Sequence, residues 1–212
     1  MILAFLRHGA TAWNEQGLMQ GRRDTPLSPA GRDDVAGWRL PHTLGTSVTW
    51  MSSPLRRAVE TAALLVDTPP ALEPALIEMD WGAWEGYRLD ELRQRFGPVF
   101  VRNERRGLDF RPPGGESPRE VIARVTRWLD SVASLDRPLA AVTHNGVLRA
   151  LLALATGWDM TGRPPVKLRP ATVHRFVLEP GPRLAVLECN VPLSPAATPA
   201  CPLPPAPAAT LP

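Results

Sequence analysis

The sequence predicts an α/β fold: a three-layer sandwich in which a mostly parallel sheet carries helices on both faces. Three observations lead there. Short apolar runs alternate with longer amphipathic segments, the βαβα order that builds parallel sheets. Three amphipathic segments open on Ser-Pro, a capping serine before a proline at the first helical position. Polar, chemically capable residues cluster just after the apolar runs, where ligands of such sheets bind.

In chain order, Ile2–Leu6 is a buried strand that stops at Arg7-His8-Gly9. Ser28-Pro29 starts a helix. Ser47–Met51 is the next strand, and Ser52-Ser53-Pro54 follows it, with Ser53 capping a second helix. Ala75–Ile77 reads as a strand ending at Glu78, before the glycine- and tryptophan-rich loop Asp80–Gly86. Ser117 with Glu120 completes a capping box for a helix through about Val132. Leu139–Thr143 is a strand leading through His144-Asn145-Gly146 into a helix over Val147–Thr156, closed by Gly157. Val173–Leu178 and Leu184–Leu187 supply the last strands. From Asn190 to Pro212 the chain has no charge and eight prolines, so residues 1–189 are expected to form one domain and 190–212 a disordered Pro/Ala-rich tail.

Composition removes several function classes. A chain of 212 residues with 44% hydrophobic and 21% charged residues suits a single well-buried domain. Its 24 Lys+Arg face 21 Asp+Glu, interspersed, so no nucleic-acid patch is read. Lys167 is the only lysine, which argues against Schiff-base chemistry and a lysine-bearing phosphate loop. Cys189 and Cys201 are too few for a disulfide framework or a zinc cluster. No segment approaches the roughly 18 apolar residues of a membrane span, and Met1–Leu6 is too short for a secretory signal. The expected setting is the reducing cytoplasm, with no membrane, nucleic-acid or metal partner and no cofactor.

Two of the four histidines, His8 and His144, stand at strand ends and are followed closely by glycine. Either alone reads equally as a strand-end histidine satisfied by backbone; together they point to one site. Arg56 and Arg57 fall in the first turn of a helix, where the macrodipole disfavours cations. A bound anion would offset that. Glu78, Asp80 and Glu85 are the nearby acids, each also readable as a solvated loop residue.

Six blocks occur in order: L-R-H-G-A-T-A-W-N (Leu6–Asn14), Q-G-R-R-D-T-P-L-S-P-A-G (Gln20–Gly31), S-S-P-L-R-R-A-V-E-T-A (Ser52–Ala62), E-M-D-W-G-A-W-E-G (Glu78–Gly86), P-G-G-E-S (Pro113–Ser117) and T-H-N-G (Thr143–Gly146). The chain resembles the histidine phosphatase superfamily, the phosphoglycerate mutase-like group of phosphatases and mutases. The resemblance covers about Ile2 to Cys189. It implies the phosphoglycerate mutase-like α/β fold, His8 as phosphate-accepting nucleophile, and Arg7, Arg57 and His144 as the phosphate pocket. It further implies Glu78 as proton donor, Thr11 and Asn14 as pocket-lining residues, and Asn145 and Gly146 as the loop presenting His144. Of the adjacent arginines, Arg57 matches because it immediately precedes Ala58.

The residue chemistry agrees. A histidine nucleophile must be neutral, and nearby arginine cations disfavour its protonation. Arginine's planar fork suits phosphate, and a carboxylic acid can protonate a leaving alkoxide. The resemblance implies a phosphomonoester hydrolase acting on a small phosphorylated metabolite, because only Tyr87–Pro113 separates W-E-G from G-G-E-S, short beside the insertions of the family's mutases. An alpha-ribazole phosphatase, a phosphoglycerate mutase and a non-catalytic phosphate-binding module are the alternatives. Arg102, Arg105, Arg106 and Arg111 either reach a second acidic group on the substrate or form a salt-bridged lid. Trp81 and Trp84 either contact substrate or pack in a core. His42 and His174 match no motif.

Overall fold

Alternation along the first strand decides the layering. The computed structural model describes residues 1–44, 47–135, 137–181 and 183–195. Its elements are β1 (Ile2–Arg7), α1 (Ala12–Glu15), α2 (Pro29–Ala36), β2 (Trp38–Arg39), β3 (Thr49–Ser52), α3 (Arg56–Leu65), β4 (Ala71–Leu72), α4 (Leu89–Glu104), α5 (Pro118–Val132), β5 (Leu139–Thr143), α6 (Asn145–Thr156), β6 (Thr172–Glu179), β7 (Arg183–Pro192) and β8 (Ser194–Pro195). Leu3 and Phe5 of β1 point into a cluster with Val121, Val125 and Leu129 of α5 and Leu148 and Leu151 of α6. Ala4 and Leu6 point the other way, into a cluster with Ala58 and Ala62 of α3. Period-two alternation thus puts helices on both faces, as expected.

The six-stranded sheet runs β4-β3-β5-β1-β6-β7. β4, β3, β5 and β1 are mutually parallel, while β6 and β7 add an antiparallel margin. Among the described residues no helix is long and apolar enough to cross a membrane.

Three expectations need correction, and one helix goes unread in the sequence. Ala75–Ile77 is not a strand: Pro74–Leu76 forms one 3-10 turn, since Pro74 has no N–H to donate to a ladder. The strand is the adjacent β4, paired with β3. Ser53 does not cap α3. The helix starts later, at Arg56, with Leu55 at the cap position making no side-chain bond, and Asp24 Oδ1 accepts the Arg56 N–H at 2.6 Å instead. Tyr87–Pro113 holds α4, bent at Gly97 (φ 45°) and Pro98, which closes over a small core of Trp84, Leu92, Phe100 and Phe110. Finally, the tail does not begin at Asn190. β7 continues to Pro192, Leu193 is 6% exposed, and β8 pairs with β2. Prolines are tolerated because β7 is an edge strand. The rest of the expected tail, residues 196–212 with Cys201, lies outside the described residues.

Ser28 and Ser117 cap α2 and α5 as the sequence requires, Ser117 with its Glu120 box, and Gly157 closes α6 in the left-handed conformation.

Candidate active site

Sheet register brings the strand-end residues together. Arg7 of β1 pairs with Thr143 of β5, and Ser52 of β3 pairs with Val142, so the three strands stop at one level. The His8 N–H donates to Thr143 O at 3.0 Å and the Ser53 N–H to Val142 O at 2.9 Å. Because β5 lies between β3 and β1, His144 emerges between Ser53 and His8. Its Nε2 lies 2.7 Å from Ser53 Oγ, and its ring centroid stands 5.0 Å from that of His8. Both rings are buried.

The tautomer of His8 follows from its partners. Nδ1 lies 2.6 Å from Gly9 O, and a carbonyl only accepts, so Nδ1 carries the proton. Nε2 is therefore a bare lone pair, and it accepts from Arg57 Nε at 3.2 Å. Burial first, then the Arg7 and Arg57 cations, hold the His8 pKa well below its ordinary value. His144 is lowered likewise, by burial and then by the charges around it. Its Nδ1 is buried without a partner.

Arg57 is fully buried. Its Nη1 and Nη2 donate at 2.8 Å to Arg23 O and Gly21 O, so it is aimed by the loop before α2. Among the described residues neither Arg7 nor Arg57 forms a salt bridge to a carboxylate. Arg56, by contrast, pairs with Glu60 at 2.7 Å. Glu78 is buried, and Glu78 Oε1 accepts from the Met79 N–H at 2.8 Å and the Gly146 N–H at 3.0 Å. Burial pushes its carboxyl pKa up, against the Met79 amide and the Arg57 charge. The buried cluster therefore pairs a lone-pair imidazole with two arginines that have no carboxylate partner among the described residues and one acid whose pKa burial raises.

The other expected residues divide. Thr11 is fully buried and caps α1, its hydroxyl bonded to Gln20 Oε1 at 2.9 Å, so it holds the loop. Asn14 accepts from Thr11 through Oδ1. Asn145 is exposed at the start of α6, and Gly146 supplies an N–H to Glu78. Trp84 lies in the small core under α4, with Trp81 packed beside Phe110. Arg111 pairs with Glu120, while Arg102, Arg105 and Arg106 are exposed. Asp80 accepts from the Gly82 N–H at 2.7 Å, and Glu85 binds the Arg22 N–H at 2.7 Å. Two groups beside Glu78 escaped sequence reasoning: Arg124 and Arg22, joined by Glu116. Glu116 lies inside the P-G-G-E-S block and Arg22 inside Q-G-R-R-D-T-P-L-S-P-A-G, but nothing local marks Arg124.

The family model of the histidine phosphatase superfamily (branch 1) matches residues 3–190. A 2,3-bisphosphoglycerate-dependent phosphoglycerate mutase of Methylobacterium radiotolerans is 36% identical over 182 residues, covering 79% of this chain and 85% of that protein. One of Beijerinckia indica is 32% identical over 194 residues, covering 85% and 88%. Among solved structures, a mycobacterial glucosyl-3-phosphoglycerate phosphatase in complex with VO3 superposes with a TM-score of 0.76 at 27% identity, covering 90% of this chain and 98% of that one. Bacillus stearothermophilus YhfR gives 0.78 at 26% identity, covering 91% and 98%.

Proposed function

The chain belongs to the histidine phosphatase superfamily, and from that premise we propose that it is a phosphomonoester hydrolase working through a phosphohistidine at His8. The observation that carries the reading is the bare Nε2 of a buried, neutral His8, held in that tautomer by Gly9 O and lying beside Arg57. In the first step Nε2 attacks phosphorus and the ester P–O bond breaks. Arg7 and Arg57 bind the phosphoryl oxygens, which makes transfer mainly a problem of positioning and charge. His144 stands beside His8 with its Nε2 on the Ser53 hydroxyl, and in this reading its unpartnered Nδ1 carries a proton available to a phosphoryl oxygen. Glu78 gives its proton to the departing alkoxide. In the second step the Glu78 carboxylate takes a proton from water, which attacks phosphohistidine, releases phosphate and returns the lone pair to His8.

The substrate class is a small organic phosphate, and the names of the relatives suggest a phosphoglycerate-like group. A phosphoglycerate mutase is the second reading, favoured by the identity to curated mutases. Two cysteines, too few for a disulfide framework, support the cytoplasm as its compartment. Labelled substrate should leave an acid-labile, base-stable phosphoenzyme on the wild type and none on His8→Ala. Turnover should survive chelation, since His8 takes the place of metal-activated water. Phosphate release should exceed interconversion of 2- and 3-phosphoglycerate; efficient interconversion stimulated by bisphosphoglycerate would favour the mutase.

A further inference from the structure

The segment that carries Glu78 has no strand to lean on. Between the 3-10 turn Pro74–Leu76 and Glu78 the backbone makes no ladder, although Leu76 is fully buried and Glu78 nearly so. Buried carbonyls need partners, and here side chains supply them. Arg124, two turns into α5, donates through Nη1 to Ala75 O and through Nη2 to Ile77 O, the latter at 2.6 Å. Thr143 Oγ1 donates to Leu76 O at 2.8 Å. Arg22 Nε approaches Glu78 O at 3.5 Å.

Glu116 holds both arginines. Its Oε1 accepts from Arg124 Nε at 2.9 Å, and its Oε2 accepts from Nη2 of Arg124 at 3.2 Å and of Arg22 at 3.4 Å. The Arg124 and Glu116 side chains are only 13% and 12% exposed, so solvent screens this pair little. One planar guanidinium thus grips a carboxylate with one edge and two backbone carbonyls with the rest. An ammonium cannot make that set of contacts.

We propose that Arg124, locked by Glu116, is a positioning residue for Glu78: it fixes the height and direction from which the carboxyl meets the leaving oxygen. The Arg124 guanidinium is engaged by Glu116, Ala75 O and Ile77 O, so its part in this reading is to place Glu78 rather than to meet the substrate. This rests on the reading of Glu78 as general acid. A shift of about 1 Å in a catalytic group costs on the order of 10²-fold in rate, so loosening residues 75–78 weakens protonation while leaving the His8–Arg57 arrangement, built on other elements, in place.

The experiment compares Arg124→Met and Glu116→Gln, each with and without Glu78→Gln. Two readouts are taken: the rate on an alkyl phosphate, whose leaving group needs a proton, and the pre-steady-state nitrophenol burst from p-nitrophenyl phosphate, whose leaving group does not. Arg124→Met should slow the alkyl ester by about 10- to 100-fold and change the burst rate by less than about threefold. Glu116→Gln should act in the same direction but less strongly. In the Glu78→Gln background neither should cost anything further on the alkyl ester. Equal losses on both esters, losses that add to that of Glu78→Gln, or an unchanged alkyl rate would overturn the positioning role. If Glu78→Gln alone slows both esters equally, the acid assignment fails and the positioning role falls with it. Should Arg124→Met not fold, Glu116→Gln carries the same comparison.

Discussion

Gly146 leaves no space for a side chain. A Cβ there would stand 2.3 Å from Glu78 Oε1 and 3.1 Å from Met79 Cβ, while its own N–H is one of the two amides that orient the carboxylate. In helix α6 alanine is intrinsically better than glycine by about 1 kcal/mol. The clash offsets that gain, so Gly146→Ala should still fold by circular dichroism, yet lose roughly 10²-fold in alkyl-phosphate turnover as the methyl displaces Glu78. Wild-type turnover in that variant would detach Glu78 from the chemistry. Single residues at strand ends were the legible part of this site. Arg7, His8 and His144 each follow a strand that stops abruptly, and the register of β1, β3 and β5 then makes them neighbours, whereas Glu78 follows an apolar run that is a buried turn. Arg124 was not legible, because its partners Ala75 and Ile77 lie 49 and 47 residues away in sequence and no local pattern announces a side chain that replaces a strand.

Elements were legible where two signals coincided. α5 carries a capping serine, a glutamate three residues on and a clear apolar stripe, and its observed range is the expected one. Ala75–Ile77 offered only an apolar run, which fits a buried turn as well as a strand. α4 was hidden by Gly97-Pro98 in its middle and by apolar residues on its exposed side, among them Val99 at 61% exposed. The end of β7 was hidden by composition, since an uncharged proline-rich stretch reads as tail whether or not an edge strand runs into it. Leu193 settles what that stretch contributes: it is packed with Ala4, Leu6 and Val173 beneath the sheet, and its N–H donates to Ala171 O at 3.1 Å. Leu193→Ala should thus cost about 2 kcal/mol or more, read as a lower urea midpoint. Truncation after Cys189, which also removes the Asn190 bonds to Arg169 and Lys167, should cost more. An unchanged midpoint in both would return residues 190–195 to the tail.

At the scale of the whole molecule, the fold commits three histidines to a buried, neutral state. His8 and His144 stand together in the candidate site; His174 lies on β6 away from it, fully buried, with its Nδ1 accepting from the Asn190 N–H at 3.2 Å. Burial brings the His174 pKa down from 6.5 to about 4. An unfolded chain takes up that proton near 6.5, whereas the native protein refuses it until about pH 4, so the native state is disfavoured progressively as pH falls between those values. For His174 alone the loss reaches about 3 kcal/mol. His8 and His144 shift in the same direction and add to the same limb. Glu78 works in the opposite sense, because its raised pKa lets the native protein gain a proton first. Asp109, held low by its hydrogen bonds to Arg119, loses its share only as pH falls through the carboxylate range and below. The urea midpoint should therefore fall steadily from pH 6.5 to 4.5. His174→Gln keeps an acceptor for Asn190 but cannot titrate, so its midpoint should fall less steeply over that interval. Equal slopes for the two proteins would show that the acid limb is set elsewhere, at the site histidines.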